Sequence, residues 1–128
     1  MTKILAIDDT PYNLDILKNG LEDEGFEMLT ALNGRKGLEL IDAERPDLVL
    51  LDIGMPEMDG HSVLRAIRAL ERERGLSADG AAKIIMTTAL DDSQNVLGAF
   101  KEGCEGYVVK PIRRDDLLHQ LEKLGFVS

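Results

Sequence analysis

The chain holds a single cysteine, Cys104, so it cannot close an internal disulfide, and a reducing compartment is the expected home. No stretch approaches the roughly 20 consecutive apolar residues of a membrane-spanning helix. The N-terminus, Met1-Thr2-Lys3-Ile4-Leu5, runs straight into strand-like sequence and lacks the apolar region of a signal peptide. The sequence therefore reads as cytoplasmic, with no membrane insertion. Basic residues are scarce: 15 Lys and Arg face 24 Asp and Glu, a formal net charge of −9. That balance excludes a broad basic face for direct nucleic-acid binding and disfavours docking on anionic membranes. The loop Asp9-Thr10-Pro11-Tyr12-Asn13 is acidic and lacks the glycines that cradle phosphate in nucleotide or flavin modules. There is no internal repeat and no low-complexity segment.

With 128 residues, 44% of them apolar and 30% charged, the chain reads as one globular domain with a real core. Lys3 to Asp8 is a first apolar segment, strand-like and ending on acid. Thr10 before Pro11 suits a helix N-cap, and Leu14, Leu17 and Leu21, with Ile16 beside them, form a helical stripe that Gly25 can stop. Phe26 to Ala31 is a second strand. Asn33 can cap a second helix, with Leu38, Leu40 and Ile41 facing the core before Pro46.

Asp47 to Asp52 is a third strand, and its run Leu48-Val49-Leu50-Leu51 suits burial on both faces of a parallel sheet. Past Gly60, Val63, Leu64, Ile67 and Leu70 mark a third helix, whose end Glu71-Arg72-Glu73-Arg74 reads as solvated. Ser77 to Ala82 is a loop, and Lys83 to Thr88 a fourth strand. Asp91 or Asp92 can cap a fourth helix through Val96, Leu97 and Phe100. Gly106 to Lys110 is a fifth strand stopped by Pro111, and a last helix carries Leu117, Leu118, Leu121 and Leu124. Five strands alternating with five helices describe an α/β domain with a parallel sheet and right-handed crossovers.

In such a sheet every strand's carboxyl end lies along one edge, where ligands bind. Asp8, Asp9, Asp52, Thr88 and Lys110 all fall there. Asp52 alone could be a carboxylate that starts a turn. The convergence of three carboxylates, a hydroxyl and an ammonium from four strands argues otherwise. Crowded carboxylates repel unless a cation or protons neutralise them. Mg²⁺ fits best, because it takes hard oxygen ligands and needs only one or two carboxylates beside phosphate oxygens. With no His or Cys in the group, zinc and copper fit it poorly. A metal-neutralised carboxylate can attack a phosphoryl group to give an aspartyl phosphate. Lys110 would pair with one phosphoryl oxygen, and Thr88 would donate a hydrogen bond to another.

Four motifs then stand in a telling order: Asp8-Asp9, Leu51-Asp52-Ile53-Gly54-Met55-Pro56-Glu57-Met58-Asp59-Gly60, Thr88-Ala89, and Gly106-Tyr107-Val108-Val109-Lys110-Pro111. Over essentially its whole length the chain resembles receiver domains of two-component response regulators, of the single-domain chemotaxis type. The resemblance implies a flavodoxin-like, doubly wound (βα)5 fold with strand order 2-1-3-4-5, and residues 1–128 as one receiver domain without an output domain. It implies that Asp52 accepts a phosphoryl group from a sensor histidine kinase or phosphotransfer protein. Asp9, Asp52 and the Gly54 backbone carbonyl would bind Mg²⁺ directly, with Asp8 acting mainly through water. Thr88 and Tyr107 would be a switch pair that repacks the face of the fourth helix, fifth strand and fifth helix, where a downstream partner binds. Lys110 would bridge to the phosphoryl group, and the bond before Pro111 would be cis. Such a domain catalyses its own phosphotransfer and dephosphorylation and turns over no external substrate.

Two positions bear on lifetime. Gly54 has no side chain to orient or block an attacking water, and Leu90 is apolar where some relatives carry an acid or amide, so slow self-dephosphorylation is expected. Simpler roles suit other residues. Met55 and Met58 could dock a partner or fill gaps over the sheet, Asp59 suits a helix cap, and His61 and His119 stand isolated on helices. Cys104 suits a small packed residue, and Tyr107, without Thr88, would be an ordinary strand aromatic. Two other functions compete: a constitutive interaction module that has lost phosphorylation, and a Mg²⁺-dependent phosphohydrolase. The first must explain the intact acidic set. The second usually has a carboxylate two residues after the nucleophile, where this chain has Gly54.

Overall fold

Alternation of apolar side chains along the strands divides the core in two. The computed structural model describes residues 2–55, 58–76, 80–89 and 93–127, with side chains in the last segment from residue 97. Its elements are β1 (Lys3–Ile7), α1 (Pro11–Glu22), β2 (Glu27–Ala31), α2 (Gly34–Glu44), β3 (Leu48–Asp52), α3 (Gly60–Glu73), β4 (Lys83–Thr88), α4 (Ser93–Glu102), β5 (Gly106–Val109) and α5 (Arg114–Lys123). The five strands form one sheet in the order β2-β1-β3-β4-β5. Every pairing is parallel. This is the doubly wound architecture that the strand–helix alternation predicts, with element ends shifted by a residue or so.

On one face Leu5, Ile7, Val49, Leu51, Ile84 and Met86 meet Val63, Leu64 and Ile67 of α3 and Ile41 of α2. On the other, Ile4, Ala6, Leu48, Leu50, Ile85 and Val108 meet α1 through Leu14, Leu17 and Leu21 and α5 through Leu117 and Leu121. Neighbouring residues of one strand thus serve opposite layers, as a period of two requires. A fully buried Leu or Ile contributes about 1.5–3 kcal/mol. The apolar run in β3 therefore does more than mark a strand, since all five of its residues are buried.

Helix ends follow local chemistry, with corrections. Asn33 Oδ1 accepts from the Lys36 N–H at 2.8 Å, and Asp59 Oδ1 accepts from the Ser62 N–H at 2.9 Å, so both act as caps. That hydrogen bond, made to the charged form, holds the Asp59 carboxyl below its usual range. Thr10 occupies the N-cap position of α1, but its side chain makes no capping bond. The N–H of Asn13 goes to the Thr10 carbonyl at 3.0 Å instead, and the Asp8 carboxylate takes the Thr10 N–H at 2.9 Å. The expected caps Asp91 and Asp92 lie outside the described residues.

Three side-chain positions also depart from the sequence reading. Ile16 is exposed, because it lies off the 14–17–21 stripe of α1. Leu38 and Leu40 are only partly buried, while Gly37 sets α2 against Ile7 of β1 and Gly34 sets it against Met58 and against Val63 of α3. Glu71 is not part of a solvated helix end: it is 7% exposed. It follows Leu64 and Ile67 at helical spacing, which turns it inward. There its carboxylate accepts from Arg68 Nη1 and from the Ala82 N–H, both at 2.7 Å. Arg68 also donates to the Ala82 and Gly103 carbonyls and to Glu105, tying α3 to the start of β4 and the loop before β5.

Candidate functional site

Parallel strands deliver their carboxyl ends to one edge, and β1, β3, β4 and β5 bring Asp8, Asp52, Thr88 and Lys110 there. The register sets Asp52 beside Thr87 and Thr88 beside Val109, and the Lys110 N–H continues the ladder to the Thr88 carbonyl at 2.7 Å. Asp8 and Asp52 are buried, while Asp9 faces solvent. One carboxylate oxygen from each of Asp8, Asp9 and Asp52 lies within 4.8 Å of the others.

The charges in this cluster are only partly balanced. Lys110 Nζ stands 3.0 Å from Asp52 Oδ1 and 3.3 Å from Asp8 Oδ2. Asp52 Oδ1 also accepts the Gly54 N–H at 3.1 Å, and Asp8 Oδ2 accepts from Asn13 Nδ2 at 3.3 Å. Burial pushes the Asp52 carboxyl above its usual range, and the Asp8 charge adds to that, while the Lys110 and Gly54 hydrogen bonds offset it only in part. For Lys110, burial favours the neutral amine, but the hydrogen bond and charge of Asp52, then those of Asp8, prevail and raise it.

The arrangement suits a divalent cation. Three carboxylates face one ammonium, the donors are hard oxygens, and an exposed member opens the cluster to solvent. A metal ion could be held there by Asp8, Asp9 and Asp52.

Such a cluster, set at the carboxyl edge of a 2-1-3-4-5 sheet, finds its counterpart among known proteins. The family model for the response regulator receiver domain matches residues 4–122. The chain belongs to the response regulator receiver family. This receiver is 38% identical over 124 residues to the chemotaxis protein CheY of Listeria monocytogenes, covering 96% of the chain and 98% of that protein. It is 34% identical to CheY of Bacillus subtilis, covering 94% and 95%. Among solved structures it resembles the Vibrio cholerae chemotaxis protein CheY4, with a TM-score of 0.84 at 28% identity over 96% of this chain and 98% of that one. A response regulator receiver domain from Clostridium thermocellum superposes with a TM-score of 0.83 at 31% identity, over 96% and 93%. The receiver is thus of the chemotaxis type, and a phosphorylation-dependent signalling switch is the function this membership supports.

The other residues singled out in the receiver sequence are distributed as follows. Thr88 is buried at the end of β4, and its hydroxyl donates to the Ala89 carbonyl at 3.3 Å. Tyr107 is not gathered into the acidic cluster: it lies on β5, 41% exposed, with its ring edge-on to Phe100 at a centroid distance of 6.0 Å. Gly54 touches Asp52 through its N–H. The Lys110–Pro111 peptide is cis. Met55 is buried and Met58 packs against the core, so both fill space over the sheet; Pro56 and Leu90 lie outside the described residues. Cys104 is buried and its thiol is pushed up to about 11, chiefly by burial, which suits a packed residue.

Sequence reasoning missed three contributors. Asn13 reaches Asp8 from the first turn of α1, signalled only by its spacing of five residues. Gly60 packs against the backbone of Asp52 and Ile53 so closely that a Cβ would lie 2.5 Å from the Asp52 carbonyl oxygen. Phe100 holds the edge of the Tyr107 ring, and no residue pattern announces a contact between side chains on different elements.

Proposed function

We propose that Asp52 accepts a phosphoryl group in a Mg²⁺-dependent reaction from the phosphohistidine of a sensor histidine kinase or phosphotransfer protein. The observation that carries this reading is the burial of Asp52 against Lys110 and Asp8, beside the exposed Asp9. An Asp52 carboxylate oxygen attacks phosphorus, the P–N bond to the donor imidazole breaks, and the imidazole leaves with the bonding electron pair and takes up a proton. Lys110 exchanges part of its contact with Asp52 for a phosphoryl oxygen, which offsets charge that builds on the transferred group. Asp9, Asp52 and the Gly54 carbonyl would hold Mg²⁺, with Asp8 acting through water; when bound, the ion neutralises the carboxylates and the phosphoryl oxygens.

The Thr88 hydroxyl then turns toward the phosphoryl group, and Tyr107, now exposed against Phe100, moves inward. This changes the face of α4, β5 and α5, through which an unidentified downstream protein is engaged. The reading takes residues 1–128 as one receiver domain that passes its signal by protein contact in the cytoplasm, with no direct nucleic-acid binding. Leu90 is apolar and cannot polarise a water, and Gly54 has no side chain to orient one, so the phosphoryl group is lost slowly; loss within minutes in purified protein would contradict that.

Intact-mass measurement after incubation with Mg²⁺ and acetyl phosphate tests the reading. Wild type is expected to gain one phosphoryl group, and omission of Mg²⁺ or the change Asp52→Asn is expected to abolish the gain. Equal gain in Asp52→Asn refutes it.

A further inference from the structure

At the opposite edge of the sheet from the acidic cluster, a cavity of about 280 Å³ opens where β3 and β4 begin and α2 and α3 end. Its apolar lining includes Ile41, Pro46, Leu70, Leu76 and Phe126. Charged side chains stand around it, and their partners decide what it can attract. All three carboxylates are engaged. Asp42 pairs with Arg74, Asp47 Oδ2 accepts the Lys3 N–H at 2.9 Å, and Glu71 accepts from Arg68 and the Ala82 N–H.

The cations divide differently. Arg74 is matched by Asp42, but Arg45 and Lys83 have neither an ion-pair partner nor a side-chain hydrogen bond among the described residues. Arg45 is held at the rim by the C-cap of α2, in a left-handed conformation with φ of 49°. Lys83 is the first residue of β4, paired in register with Leu48. In a chain of net charge −9, this apolar hollow thus carries two cations with no carboxylate at ion-pair distance among the described residues.

An apolar pocket with a few convergent polar groups is the usual form of a small-molecule site, and about 280 Å³ is at the small end of that range. We propose that this cavity binds a small organic anion, with the anionic head at Arg45 and Lys83 and a compact apolar body against Ile41, Leu70 and Leu76. A body of one or two rings is the scale that fits. A carboxylate, sulfonate or phosphate ester would serve, since each offers oxygens to both cations. Four strand steps, about 13 Å, separate Leu48 from Asp52, so the site stands whether or not Asp52 accepts phosphate.

The test titrates the full ¹⁵N-labelled chain with 1-naphthalenesulfonate and follows amide shifts. Saturable shifts are expected at Ile41, Leu70, Leu76 and Ala82. The uncharged 1-naphthalenemethanol, with the same rings, is expected to bind about tenfold more weakly, and Arg45→Gln and Lys83→Gln to weaken the sulfonate about three- to tenfold each. Lys101→Gln, on α4, is expected to leave binding unchanged. The proposal is overturned by absence of saturable shifts at these residues, by equal binding of the alcohol, or by equal binding in both cavity variants. Because the two probes differ only in the head group, the comparison does not depend on how any variant folds.

Discussion

Replacing Gly60 with alanine should destabilise the protein although alanine is the better helix former. The Cβ would stand 2.5 Å from the Asp52 carbonyl oxygen, 2.7 Å from the Ile53 Cα and 3.0 Å from the Asp52 carbonyl carbon, where ordinary contact begins at 3.4 Å. All three are backbone atoms, so no side-chain rotation relieves the clash; α3 must retreat from β3, straining the Gly60 N–H to Ile53 carbonyl bond of 3.0 Å. Overpacking of this kind costs about 1–3 kcal/mol. The helix preference for alanine over glycine returns at most about 1 kcal/mol, and less at a first turn. A net loss of about 1–2 kcal/mol remains.

At about 2.1 cal/mol/K per residue the unfolding entropy of this chain is about 0.27 kcal/mol/K, so the midpoint should fall by about 4–7 °C. Gly20→Ala supplies the opposite sign: it lies within α1 and its Cβ would meet nothing within 4 Å. It should gain about 0.5–1 kcal/mol and raise the midpoint by about 2–4 °C. Thermal melts followed by circular dichroism without divalent metal, checked by urea unfolding, decide the pair. A Gly60→Ala midpoint equal to or above wild type would refute the close packing of α3 on the end of β3.

Other consequences are equally open to measurement. The Asp52 carboxyl is raised above its unfolded value, so its contribution to stability is fully present below the unfolded value of 3.8 and is lost as pH rises through the folded one. Asp52→Asn should therefore be the more stable protein at pH 7 without metal, and the difference should shrink toward pH 4 in paired denaturation curves. Mg²⁺ at 100 times its dissociation constant should add about 2.7 kcal/mol, or about 10 °C in a melt, and Asp9→Asn should remove most of the shift; an unchanged midpoint counts against a metal site. Glu71→Gln should cost about 1–3 kcal/mol in urea unfolding, since Arg68 loses a buried anionic partner. A cost near zero would return Glu71 to the solvated surface.

The acidic edge was legible because three separate signals coincide at strand ends: a buried apolar run, an abrupt polar residue and a turn. Parallel topology then does the rest, carrying Asp8, Asp52, Thr88 and Lys110 to one place without any contact between them being visible in sequence. Glu71 was misread because a run of alternating charges suggests solvent, whereas its spacing from Leu64 and Ile67 governs which way it faces. Tyr107 shows a different limit. Alternation puts it on a strand, but its exposure and its ring contact with Phe100, a neighbour from another element, are not visible in sequence. Thr10 failed as a cap for a related reason: the Asn13 N–H that its hydroxyl would have taken goes to the Thr10 carbonyl.

The central claim is that one carboxylate among three crowded ones carries the phosphoryl group. Borohydride trapping of the acyl phosphate followed by peptide mass spectrometry reads this directly, after phosphorylation of wild-type protein with acetyl phosphate and Mg²⁺. The account predicts a single modified position, Asp52, occupied up to one group per chain. Modification at Asp8 or Asp9, spread over several carboxylates, or absent under conditions that saturate the metal, would contradict it.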